Sequence, residues 1–119
     1  GKMAEDSLTG IRDRMREFSR ARDWEKFHDP KSLTLALVGE VGELAEILQW
    51  LPADEVVDRA HKEPLRSRLG EEISDVLLYL VRLADVSGID LPSAVESKMT
   101  SSEKRFPSSD FQGESPRKE

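Results

Sequence analysis

Ser32-Leu33-Thr34-Leu35-Ala36-Leu37-Val38-Gly39-Glu40-Val41-Gly42-Glu43-Leu44-Ala45-Glu46-Ile47-Leu48-Gln49-Trp50 is the stretch on which the fold turns. Its apolar positions recur at helical spacing: Leu37, Val41, Leu44 and Leu48 form one stripe, widened by Leu33, Leu35, Ala36, Val38, Ala45 and Ile47. A helix apolar over so much of its circumference must be covered on several sides. His28-Asp29-Pro30 breaks the pattern upstream, because the residue before a proline is pushed out of the helical region. Ser32 is therefore read as the cap of this helix, and Leu51-Pro52 as its end.

The same period extends to either side. Leu8, Ile11, Met15 and Phe18 predict a first helix over about 7–23, with Ser7 or Asp6 as its cap. Residues 53–63 are polar enough for no more than a short helical turn, closed by Pro64. From Leu65 to about Val86 the pattern returns through Leu69, Ile73, Val76, Leu77, Leu80, Leu83 and Ala84, and Ser87-Gly88 stops it. Asp90 caps a fourth helix with Pro92 in its first turn and Ala94, Val95 and Met99 inward. Nothing alternates with period two over a strand's length. The expectation is all-α: a four-helix bundle over 7–107. Residues 1–6 form a flexible start in which Gly1-Lys2 ahead of Met3 is a cloning remnant, and 108–119 a disordered tail. The second and third helices are too apolar for one small bundle, which predicts a homo-oligomer.

Composition narrows the chemistry. The chain has 119 residues, 37% hydrophobic and 35% charged, with 18 Lys and Arg against 24 Asp and Glu, a net charge of −6. Such a chain is ill suited to grip a nucleic-acid backbone by bulk charge, so an anionic ligand needs a bridging cation or a few local bases. The absence of cysteine excludes a disulfide scaffold, a zinc knuckle and a thiol nucleophile. Two histidines are too few for a multi-His metal centre. No apolar run reaches membrane-spanning length and no signal pattern opens the chain, which predicts a cytoplasmic protein with no membrane partner.

What remains is carboxylate. Glu40-x-x-Glu43 and Glu72-x-x-Asp75 each place two acids about 60° apart on one helix face, at the border of the apolar stripe. Four carboxylates converging where those helices meet cannot all stay ionised without a cation. The plain alternative is two solvated acidic faces. Against it stand Gly39 and Gly42, each costing about 1 kcal/mol relative to Ala inside a helix. They make sense where a ligand or another backbone must come close. Oxygen-only ligands select Mg²⁺, with Mn²⁺ the other candidate. A di-iron centre of the bundle type needs Glu-x-x-His, which is absent, as are a P-loop and a dinucleotide fingerprint.

Glu40-x-x-Glu43, 28 intervening residues and Glu72-x-x-Asp75 resemble the signature of the all-α, MazG-like nucleoside triphosphate pyrophosphohydrolases. The resemblance runs from about Met15 to Pro107. Within it, residues 22–28, 36–50 and 71–83 look most like the dCTP pyrophosphatase branch. It implies that Glu40, Glu43, Glu72 and Asp75 hold Mg²⁺ and that water attacks the α-phosphorus of a bound triphosphate, leaving a nucleoside monophosphate and pyrophosphate. Glu43 or Glu46 would take the proton of that water. Trp24, His28, Trp50 and Tyr79 match positions lining the nucleoside pocket. Lys98-Met99 and Arg105-Phe106-Pro107 are similar to the family's phosphate-binding ending. The relatives are commonly tetramers, so a homotetramer is expected, with a dimer as the alternative.

Three residues depart from the branch pattern. Met15 stands where a histidine is expected, and Ser102 and Glu103 where Asn and a basic residue are. A sibling activity on dUTP, phosphoribosyl-ATP or nucleoside triphosphates in general therefore stays open, as does a non-catalytic helical module that holds Mg²⁺.

Overall fold

A computed structural model describes residues 7–113. Helix α1, Leu8–Ala21, starts at Ser7, whose hydroxyl accepts the Gly10 amide at 3.0 Å. Asp23 then turns in the left-handed region (φ 53°) and the Trp24 amide closes back on the Ser19 carbonyl at 2.9 Å. A 3-10 turn, Glu25–Phe27, leads to α2, Pro30–Leu48.

The start of α2 differs from the sequence expectation. Its cap is Asp29, whose carboxylate accepts both the Ser32 amide (2.8 Å) and the Ser32 hydroxyl (2.7 Å). Pro30 occupies the first turn, where its missing N–H would be unpaired in any case and its fixed φ already suits a helix. The break that prolines impose thus lies before Pro30, and Ser32 is the capped residue rather than the cap.

The chain holds six α-helices among the described residues rather than four, and no strand. Ala53–Ala60 forms a full short helix, α3, with Asp54 and Glu55 in its first turn and Arg59 in its last, charges placed to complement the helix dipole. Then come α4 (Leu65–Val86) and α5 (Leu91–Arg105), the latter capped by Asp90. The stretch expected to lack structure begins instead with a single helical turn, α6, Ser108–Phe111, following Pro107. The ends at 1–6 and 114–119, the two segments expected to be flexible, lie outside the described residues.

Helix α4 organises the molecule: α1, α2, α3 and α5 all pack on it, α2 most extensively. Its end explains the direction of the next helix. Gly88 sits at φ +68°, its amide bonded to the Asp85 carbonyl (3.1 Å), while the Ile89 amide reaches Ala84 (2.9 Å). This pair of bonds satisfies the last carbonyls of α4 and reverses the chain. Burial within one protomer is slight: Leu33, Val81 and Ala84 are the buried apolar residues among those described.

Candidate metal and nucleotide site

The seam between α2 and α4 gathers the acids. Oxygens of Glu40, Glu43 and Glu72 all lie within 4.8 Å of one another. Glu40 and Glu72 each bury one carboxylate oxygen, Oε2, that has no hydrogen-bond partner. Both groups are held above the usual carboxylate range. Loss of water is the largest cause in each. For Glu40 a hydrogen bond shared with Glu43 and the charges of Glu43, Asp75 and Glu72 add to it; for Glu72 the charges of Glu43 and Asp75 do. A bare cluster of this kind is electrostatically unfavourable, and its unpaired oxygens ask for a positive partner. Three hard carboxylates on two rigid helices could hold a divalent metal, and the orphaned oxygens fit one.

Asp75, the fourth acid of the motif, is exposed one turn beyond Glu72 and lies outside this group of three. Its charge nonetheless reaches both Glu40 and Glu72. A cleft of about 590 Å³ opens beside the cluster, lined by Glu43, Glu46, Ile47, Gln49, Trp50, Arg68 and Glu72. Glu46 and Trp50 therefore share a wall with two of the metal candidates, and the Trp50 ring is 85% exposed there. Arg68 was not singled out from the sequence, although it precedes Glu72 by four residues and so shares its helix face.

The remaining candidates do not line this cleft in a single protomer. Trp24 packs edge to face on Phe18 at 5.6 Å, and the Arg22 guanidinium lies 3.6 Å from the Phe18 centroid on that ring. Tyr79 is half-buried on α4. Lys98 is exposed on α5, and Arg105 closes that helix with its guanidinium 5.0 Å from the Phe106 ring. His28 is half-buried and accepts, through Nδ1, a hydrogen bond from Arg82 Nε at 2.9 Å. Burial, and then the Arg82 charge, hold its imidazole below the usual range against an opposing pull from Glu25. Arg82 in turn bonds Asp85 (3.2 Å), and Asp85 takes a two-pronged hold from Arg16 of α1 at 2.8 and 2.5 Å. Sequence reading missed this network, because its partners are 54 and 69 positions apart. Nor does anything within the protomer approach Gly39 or Gly42: a Cβ added at either would meet no atom within 4 Å. The close approach expected of them is not made inside one chain.

An all-helical fold with a carboxylate cluster on two neighbouring helices defines a class of nucleotide-processing domains, and residues 28–109 match the model of one, the MazG nucleotide pyrophosphohydrolase domain. The chain belongs to this family. It is similar to dCTP pyrophosphatase 1 of Bos taurus, with 50% identity over 104 residues, 87% of this chain and 62% of that protein. The same-named proteins of Mus musculus and Homo sapiens are 52% and 50% identical over 103 residues, 87% of this chain and 61% of theirs. The chain thus spans about three-fifths of the length of these curated relatives. A crystal structure of a pyrophosphatase from Archaeoglobus fulgidus DSM 4304 superposes with a TM-score of 0.73 at 41% identity, over 80% of this chain and 87% of that one.

Proposed function

We propose that the chain is a Mg²⁺-dependent nucleotide pyrophosphohydrolase that cleaves dCTP or a modified dCTP to the monophosphate and pyrophosphate, clearing unwanted nucleotides from the pool. The observation that carries this reading is the trio Glu40, Glu43 and Glu72, two of them with buried, unpaired oxygens, opening into the cleft that holds Trp50 and Arg68. The names of the similar proteins supply the nucleotide, and the cleft's chemistry agrees with them. Glu40, Glu43 and Glu72 would hold the metal, with Asp75 joining them through a small rotation of its exposed side chain. Mg²⁺ bound there would neutralise charge on the phosphate oxygens; Mn²⁺ could replace it.

The protein's own groups do the rest. Glu46 lies in the same cleft but outside the trio, which leaves it to accept the proton of the attacking water; Glu43, within the trio, is the less available of the two bases. The exposed indole of Trp50 offers a face for the base to stack on. Arg68 brings a guanidinium to an otherwise acidic wall, where a phosphate oxygen can meet it. Trp24, His28, Tyr79, Lys98 and Arg105 complete the pocket by way of neighbouring copies, since in one protomer they stand apart from it. That requires a homo-oligomer, for which we favour the tetramer over the dimer. The catalytic unit on this reading is 7–107. No helix among the described residues is long and apolar enough to cross a membrane, which suits a cytoplasmic place.

The test is pyrophosphate release from a panel of canonical and modified ribo- and deoxyribonucleoside triphosphates, with and without Mg²⁺. Metal-dependent release that peaks on cytosine deoxynucleotides is expected. A folded protein that releases none from any nucleotide would end this reading.

A further inference from the structure

The two histidines of the chain have hydrogen-bond partners of opposite kind. His61 Nδ1 lies 2.7 Å from the Val57 carbonyl oxygen, which can only accept, so in His61 the proton sits on Nδ1. His28 Nδ1 lies 2.9 Å from Arg82 Nε. A guanidinium has donors and no acceptor, and it does not lose its proton in a protein. His28 Nδ1 must therefore be the acceptor, and its ring must be neutral with the proton on Nε2.

Arg82 is well placed to impose that state. Its side chain is 6% exposed, and NH1 is pinned by Asp85, itself 9% exposed and gripped by Arg16 through both carboxylate oxygens. The guanidinium is thus fixed from α4 and, through Asp85, from α1. His28 ends the loop that carries Trp24, and the Arg82 bond ties this loop to α4 across 54 positions of sequence. His28 Nε2 has no hydrogen-bond partner among the described residues, so its proton is left for a ligand. We infer that Arg82 is a positioning residue: it locks His28 as the Nε2–H tautomer, so that the ring meets the nucleotide as a hydrogen-bond donor toward an acceptor atom. The nucleotide in this statement rests on the proposed function; the tautomer does not.

Long-range ¹H–¹⁵N correlation on the full ¹⁵N-labelled chain, above the imidazole titration range, reads both rings, with His61→Gln to assign them. Two opposite patterns are expected, Nε2–H for His28 and Nδ1–H for His61. An Nδ1–H pattern at His28, or an averaged mixture of tautomers, would overturn the assignment. In Arg82→Met the single pattern at His28 should be lost. The KM for dCTP with Mg²⁺ should rise about fivefold while kcat stays within about twofold, as befits one hydrogen bond made in binding. Because Arg82 is buried and its variant could fail to fold, a second pair runs beside it. His28→Gln, whose amide can accept from Arg82 and still donate, should stay within about threefold of the wild-type KM, whereas His28→Leu should rise as Arg82→Met does. Unchanged KM in His28→Leu would overturn the positioning role. A wild-type chain inactive on every nucleotide would instead sink the proposed function, and the spectrum would still decide for or against the Arg82 lock.

Discussion

At Glu40 and Glu72 a carboxylate oxygen is shut off from water with nothing to pair it, and neighbouring acids push both groups toward protonation. Folding therefore tolerates this cluster rather than gaining from it, and a cation that binds only the native state must stabilise it. The melting temperature of the wild type is expected to climb with Mg²⁺. Glu72→Gln should lose that climb, melt no lower than wild type in the absence of metal, and lose at least about 100-fold in pyrophosphate release. A Glu72→Gln chain that unfolds without metal would show the acid to be a structural partner instead. Asp85 behaves in the opposite sense. The hydrogen bond from Arg16 is the main cause holding its carboxyl below the usual 3.8; burial opposes it, and the charges of Arg16, Arg82 and Arg12 add to it. A depressed carboxylate contributes stability that is fully present above its unfolded value and is lost as pH falls through its folded one. Asp85→Asn should cost on the order of 2 kcal/mol near neutral pH by leaving the buried Arg82 without its anion. Because Asn does not titrate, urea unfolding across pH should show the gap between variant and wild type narrowing only below about pH 4; a gap independent of pH down to the acid limb would refute the ion-pair account. The acid motif could be read in the sequence because i, i+3 spacing is a local property. The Arg16–Asp85–Arg82–His28 chain could not, since no local pattern says which of many charged residues will meet across a fold.

Helices were readable for the same reason, and their ends only where a cap's chemistry had a single solution. Asp90 and Gly88 were placed correctly: one has a carboxylate for the Ser93 amide, the other the left-handed φ that the reversal after α4 needs. At the start of α2 two residues could cap, and the choice fell on Ser32, because proline was taken as a break rather than as a first-turn residue. Ala53–Ala60 was underestimated since its stability comes from end charges and from packing on α4, neither of which a short polar segment advertises. Gly88 offers a clean test at this scale. A Cβ there would meet no atom within 4 Å, so Gly88→Ala adds no clash and isolates the backbone term. Holding an L-residue in the left-handed region costs about 1 kcal/mol, and the variant should lose that much stability in urea unfolding with its helix content unchanged. An unaltered midpoint would mean that the α4–α5 turn rearranges freely and does not set the direction of α5.

One protomer buries little apolar side chain, and α2 presents Leu35 at 63% and Val38 at 64% exposure to solvent, with Val41 also exposed. On α4, Ile73, Leu77 and Leu80 are exposed as well. A lone domain rarely leaves so much contiguous apolar surface uncovered, and copies of the same chain are the cover that symmetry supplies without any further partner. The excess of apolar positions can be read from periodicity alone, but the surface that covers each one cannot, because helical period says which face is apolar and nothing about what lies opposite. Val38→Glu places a charge in the middle of that face. Sedimentation velocity should show the wild type as an oligomer and the variant as smaller species, with pyrophosphate release reduced because neighbouring copies complete the pocket. Gly42, one turn beyond Val38 on the same face, separates covering from mere exposure. Inside one chain its added Cβ would meet nothing within 4 Å, so helix propensity alone predicts that Gly42→Ala stabilises the protein by about 1 kcal/mol. If a second copy packs its backbone against this face, the methyl group instead holds the copies apart, and the variant should dissociate at concentrations where the wild type stays assembled. Dissociation is the outcome expected here; a Gly42→Ala chain that melts higher and keeps the wild-type sedimentation coefficient would show that this face of α2 is open to water, and the pocket would then have to be completed from elsewhere.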